Sequence, residues 1–349
     1  METDKQSIYM HIQRNFFIAT LFATLFTSGG GIAHALDYSG YMYALYDRAI
    51  GELPSGYTID SKVDMKGRFK LKTRAVNHFR GVLAIDPSAY NREVVPTRLY
   101  VDYKPNRMWR LRIGYAKKIV GLAYEQDKED RLTIHRDPVY DKMNRSGLVG
   151  RQLAISLRLS PGKSRRNTLA LAASHDGSRN SNITYSAIHR FASVRGLRAG
   201  LWGIVERRNF KAVGRLTVFA HALALWYQRE ASRFAVEVIH GIDPDATQFE
   251  MLFHNSRKVH FLGPRVEASY RYRLTDAVSL QPLVSSSLTF DDLHRPRGNA
   301  LRFLGGLNLQ IHQLVVSINA ETVGTSSPEN IGERRYEQKN IYGEIAFYF

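Results

Sequence analysis

In the stretch VDMKGRFKLKT, residues 63 to 73, bases recur at every second position: Lys66, Arg68, Lys70 and Lys72. Side chains two apart on a strand share a face, so this spacing gathers the bases on one side and leaves Val63, Met65, Phe69 and Leu71 on the other. Arginine stays charged at every relevant pH and presents a planar fork matched to phosphate or carboxylate oxygens. The chemistry such a face can do is to attract and coordinate anions, with no bond made or broken. The same parity in TRLYVDY (97–103) and WRLRIGYAK (109–117) sets Arg98, Asp102, Arg110 and Arg112 against Leu99, Val101, Tyr103, Trp109, Leu111, Ile113 and Tyr115. It extends to Arg158, Arg190, Arg198, Arg233, Arg265, Arg271, Arg273 and Arg302, with Asp64, Asp102, Glu237, Glu267 and Glu344 as the acids of that face. Any one of these bases can pair with a neighbouring carboxylate or meet lipopolysaccharide at a rim. As a set they are in roughly threefold excess over the acids, and around a narrow aqueous path with low-dielectric walls such an excess concentrates anions and repels cations.

Bond-making chemistry finds no comparable constellation. There is no G-x-S-x-G, H-E-x-x-H, P-loop or glycine-rich dinucleotide fingerprint. DPDATQFE (243–250) spaces acids faintly like a calcium loop but lacks its glycine, and Ser174, His175 and Asp176 are contiguous, whereas triad members converge from distant positions. His189, His221 and His312 fall within strand patterns and read as polar groups of a wall. No enzyme activity, metal or cofactor is expected. The formal net charge of +17 raises nucleic acid as a partner, but no recognition helix or RNA-binding signature accompanies it.

The elements that must position the bases are strands. About sixteen segments of alternating hydrophobicity are separated by turn signals. Connections alternate between short ones, such as KPNR (104–107), SPGKSRR (160–166), LTDA (274–277) and HQ (312–313), and longer ones at 118–147, 175–182, 241–264, 291–300 and 322–338. The expected fold is all-β: a transmembrane antiparallel up-and-down β-barrel of about sixteen strands, with fourteen and eighteen also open. Closure is required because an open sheet edge in lipid leaves unpaired backbone groups at several kcal/mol each. Residues 16 to 26 form an apolar block after Lys5 and Arg14 and before Ala33-His34-Ala35, the order of a signal peptide cleaved after residue 35. Residues 36 to 349 then form one barrel domain, delivered to the outer membrane of a Gram-negative cell. The chain has no cysteine, and its 19 tyrosines, 17 phenylalanines and 26 glycines suit thin, alternating hydrophobicity. The closing NIYGEIAFYF (340–349) alternates Ile341, Ile345, Phe347 and Phe349 against Tyr342, Glu344, Ala346 and Tyr348. Its Phe347 and Phe349 resemble the C-terminal aromatic signal of outer-membrane proteins, for reading by the barrel-assembly machinery. The longest loop, 118–149, carries Arg131, Arg136 and Arg145 as constriction candidates among mixed charges. A loop of that length either folds inward to narrow the path or lies on the surface.

WRLRIGYAKKIVGLAYEQ, with RSGLVGRQLAISL after the loop, resembles the phosphate-selective porin family of the O and P type. The matching positions are Gly114, Lys117, Gly121, Leu122, Glu125, Gly150 and Arg151; Ala123 and Tyr124 intervene before Glu125, and the loop is acidic as well as basic. The resemblance implies a trimeric, 16-stranded channel for small anions. The other class kept open is an outer-membrane barrel that serves as scaffold for an enzyme or adhesin acting through its loops.

Overall fold

The computed structural model of the 349-residue chain describes residues 36–50, 61–88, 93–126, 131–135, 137–162, 166–175, 180–210, 213–253, 257–294, 299–325 and 336–349. The expected signal peptide and Arg136 lie outside the described residues. The strands are β1 (Leu36–Ile50), β2 (Ser61–Thr73), β3 (Phe79–Ser88), β4 (Glu93–Tyr103), β5 (Trp109–Lys118), β6 (Gly150–Leu159), β7 (Asn167–His175) and β8 (Ser181–Arg190). They continue as β9 (Leu197–Phe210), β10 (Gly214–Arg229), β11 (Ser232–Ile242), β12 (His260–Tyr270, resuming at Tyr272–Arg273), β13 (Val278–Thr289), β14 (Ala300–Ile311), β15 (Leu314–Thr325) and β16 (Tyr336–Tyr348). Among the described residues, three short helices sit in connections: α1 (Leu122–Glu125), α2 (Pro138–Arg145) and α3 (Pro244–Phe253).

Each strand pairs antiparallel with its neighbours in sequence, and β1 pairs with β16 as well as β2, so the sheet is a closed barrel of sixteen strands. The seam is sealed at one rim, where the Gly40 amide donates to the Phe349 carbonyl at 2.9 Å and the Phe349 amide to the Gly40 carbonyl at 3.0 Å. Strand parity follows the charge pattern: Val63 and Met65 are exposed on the outside, while Asp64 and Arg68 are buried within. Aromatic rings cluster on the outer face near the rim of the seam. Phe69 lies 5.7 Å from Phe349, Phe79 4.6 Å from Tyr103, and Tyr103 5.7 Å from Trp109, where amphipathic rings favour a membrane interface. Deleting Phe349 removes both seam hydrogen bonds and this ring contact. The expected result is a lower yield of folded barrel on gels run without heating, with unchanged conductance for the barrels that do insert; undiminished insertion would contradict it.

One wall departs from the parity rule. On β10 the residues facing inward are Leu216, Val218, Ala220, Ala222, Ala224 and Trp226, all buried, while Leu223 and Leu225 are exposed outside. A strand apolar on both faces needs an apolar partner inside the barrel, and the long loop supplies it.

Candidate functional site

The described residues of the connection between β5 and β6 (119–126, 131–135 and 137–149) fold into the lumen. Val120, Leu122, Val139, Tyr140, Met143 and Leu148 pack against Trp202, Ile204, Val218, Ala220, Ile239 and Phe261 of the wall. This answers which of the two loop arrangements holds. Fully burying one such aliphatic side chain contributes about 1.5–3 kcal/mol, so the loop is held as a second core rather than a tether.

Polar anchors fix its path. Glu237, fully buried on β11, accepts from the Leu122 amide at 2.6 Å, the Tyr140 hydroxyl at 2.7 Å and Arg265 Nε at 2.8 Å. Asp137, preceding α2, bridges two walls: Oδ2 takes Arg265 Nη1 at 2.6 Å and Oδ1 takes Arg302 Nη1 at 3.1 Å. Burial pushes the Asp137 carboxyl up, but the two guanidinium groups outweigh it and hold it below its ordinary value. On the far side the Ile134 amide donates to Asn319 Oδ1 at 2.9 Å, and Asn308 Nδ2 donates to the Leu132 carbonyl at 3.1 Å. Lys142 ties α2 to Asp243 at 2.9 Å and Asp291 at 3.0 Å. The loop thus spans from β11 to β15 across the interior.

What stays open is a set of neighbouring cavities that share cationic lining residues. One, of about 470 Å³, is bordered by Arg131, Arg158, Arg190, Arg198, Arg233 and Arg271. A second, of about 300 Å³, adds Arg98, Arg110, Arg112 and Lys117 and shares Glu125 and Arg158 with the first. A third, of about 410 Å³, shares Arg131 and Arg271. Two like-charged pairs stand directly opposite across neighbouring strands, Arg110 with Arg158 and Arg190 with Arg198. Such juxtaposition destabilises a sheet, so it weakens the fold in return for a field. Arg112 is oriented by Asp102, through Nε at 2.7 Å, and lies 3.7 Å above the Tyr100 ring. Gly114, opposite Tyr100 at φ +137°, permits that approach, since an added Cβ would fall 2.3 Å from the Leu99 carbonyl oxygen.

The remaining expected residues are placed differently. Arg68 chelates Asp86 at 2.7 Å, and Lys66 lies 2.6 Å from Asp64. Lys70 is half-buried opposite Ser39 and Ala84. Arg273 is exposed at the rim of the seam, opposite Ser279. Arg302, 3 % exposed, presents no face to open water; its guanidinium is spent on Asp137 and on Glu321 at 2.5 Å. Of the loop bases, Arg131 borders two cavities and Arg145 is exposed in the last turn of α2. Sequence parity did not single out Asp86, which accepts from Arg68 and Thr97, or Gln126, which accepts from Arg233 at 2.9 Å.

Glu125 is the acid shared by the first two cavities, accepting from Trp202 Nε1 at 3.0 Å with Arg158 at 3.6 Å. Burial pushes its carboxyl above the ordinary value despite Arg158 and Trp202. A raised carboxyl takes up its proton earlier as pH falls, removing one negative charge from the path. Anion preference measured as a reversal potential is therefore expected to increase on mild acidification, and a decrease would contradict this assignment.

No family model matches the sequence, nor does any curated protein. Among solved structures, the chain is similar to the anion-selective porin from Comamonas acidovorans, at 8% identity and TM-score 0.60 over 90% of this chain and 99% of that one. It is similar to the outer membrane channel DcaP of Acinetobacter baumannii, at 9% identity and TM-score 0.63 over 90% and 97%. Salmonella typhi OmpF, solved with daunomycin, gives 12% and 0.63 over 90% and 97%. At these identities the likeness is one of fold: this chain has the barrel architecture of outer-membrane porins.

Proposed function

We propose that the protein is an outer-membrane porin, a water-filled, anion-preferring diffusion channel for small anionic solutes such as phosphate or organic acids. The observation that carries this reading is the pair of neighbouring cation-lined cavities left beside the inward-folded loop, with Arg110 facing Arg158 and Arg190 facing Arg198. Opposed arginines with few acids near them focus a positive potential into the water between low-dielectric walls. Fold likeness to an anion-selective porin supports the same class. The phosphate-selective O and P type is the finer form of the proposal, on the strength of Gly114, Lys117, Gly121, Leu122, Glu125, Gly150 and Arg151. The scaffold alternative gains nothing from the longest loop, whose side chains are committed to the inner wall.

The reading includes cleavage of residues 1–35, export to a Gram-negative outer membrane, contact with lipopolysaccharide, insertion by the barrel-assembly machinery through Phe347 and Phe349, and a homotrimer. The test of solute class is competition in planar bilayers. Phosphate, pyrophosphate or an organic acid added to a chloride bath is expected to reduce the chloride current at submolar concentration, and a current indifferent to all of them would contradict the proposal.

A further inference from the structure

On the outer face of the barrel, register partners from β12 to β16 form one row: Ala268, Val284, Gly305, Ala320 and Ile341. Three of these have a side chain no larger than methyl, and a Cβ added at Gly305 would meet nothing within 4 Å. The wall is therefore dented there into an apolar groove of about 650 Å³, with Phe303 standing on the side of the long loops. Inside the barrel at the same level Leu283 and Leu304 pack on Leu132 of the loop, so the groove belongs wholly to the outer surface.

Two cations stand beside it on the same face. Lys339 borders the groove, and Arg48 is the exposed register partner of Ile341, one diagonal step away across the seam. Charge on a lipid-facing wall is costly unless it lies near the interface or meets a counter-charge. Both residues lie toward the rim of the long loops, at the ends of β1 and β16. An apolar trough with a cationic end has the shape and polarity of an amphiphile carrying an anionic head.

We propose that this groove binds the acyl chain of an anionic, phosphate-bearing lipid, whose phosphate is received by Arg48 and Lys339. Membrane lipid already surrounds this wall, so the occupant needs no further recognition than a chain that fills the dent and a head of the right charge. The inference rests on the barrel's spanning a membrane and is independent of what passes through it.

The test uses the full-length protein in nanodiscs containing equal phosphatidylglycerol and phosphatidylcholine, followed by native mass spectrometry of the retained lipid. Retention of phosphatidylglycerol over phosphatidylcholine is expected. Gly305→Leu, which fills the groove, is expected to lower that retention at least tenfold. Arg48→Gln with Lys339→Gln, both at exposed positions, is expected to abolish the preference while leaving chain binding. Conductance of both variants should match the parent, which separates failure here from failure of the channel reading. Equal retention of the two lipids by the parent, or unchanged phosphatidylglycerol retention in both variants, would overturn the proposal. So would a disulfide between copies through Ala320→Cys, since a second copy would then cover the groove.

Discussion

Replacing Asp137 with alanine is expected to raise single-channel conductance and add open-state noise. The carboxylate is buried between Arg265 and Arg302, and removing it leaves two buried guanidinium groups facing each other with only Glu237, Glu267 and Glu321 to offset them. Breaking a buried ion pair in this way costs about 3–5 kcal/mol, several times a surface pair. The cost falls on the loop, because Asp137 is the loop carboxylate that takes guanidinium groups from both β12 and β14. The Leu122 and Tyr140 anchors on Glu237 remain, so the strap loosens around its centre rather than leaving the lumen. The same link sets a pH window. A carboxyl held below its ordinary value contributes stability fully above its unfolded value of about 3.9 and loses it only as pH falls through the depressed folded value. The Asp137 link of the parent should therefore hold through mild acidity, where only the Glu125 effect on ion preference is expected, while the alanine variant is already loosened at neutral pH. A variant with parental conductance would show that the loop is held without Asp137.

Neutralising Arg158, Arg190 and Arg198 together to glutamine is expected to remove most of the proposed anion preference. All three border the largest of the cation-lined cavities, and the latter two face each other across β8 and β9. Arg158 has Glu125 only at 3.6 Å and faces Arg110 on β5, so its charge is weakly compensated. Their loss also relieves two opposed like-charge pairs, each destabilising by roughly 0.2–1 kcal/mol, so the variant should be no less stable than the parent. Ion preference would fall while the barrel persists, a combination that a purely structural role for these arginines does not give. Comparing reversal potential with the heat-modified gel shift of the same preparation separates the two.

The barrel was legible because its signal is local. Alternation in VDMKGRFKLKT and NIYGEIAFYF needs only the period of a strand, and the structure places Val63, Met65, Ile345 and Phe347 outside with Asp64 and Glu344 inside. The inner face of β10 was not legible. Its Ala220, Ala222 and Ala224 look like a membrane face, and only the loop that packs on them, more than seventy residues earlier in the chain, makes them interior. Arg302 failed for a related reason: parity gives the side of the wall but not what occupies that side, and Asp137 reaches it from 165 residues away. Whether a base lines water or closes a buried pair depends on the course of a long loop, which no periodicity encodes.

The proposed anion preference follows from the excess of arginines over acids around the cavities. The direct measurement is the zero-current potential of the purified protein in a neutral planar bilayer under a KCl gradient. The expected result is a potential with the sign set by chloride permeation, shrinking as salt is raised and the charges are screened. A potential with the sign of potassium, or no current at all, would contradict it.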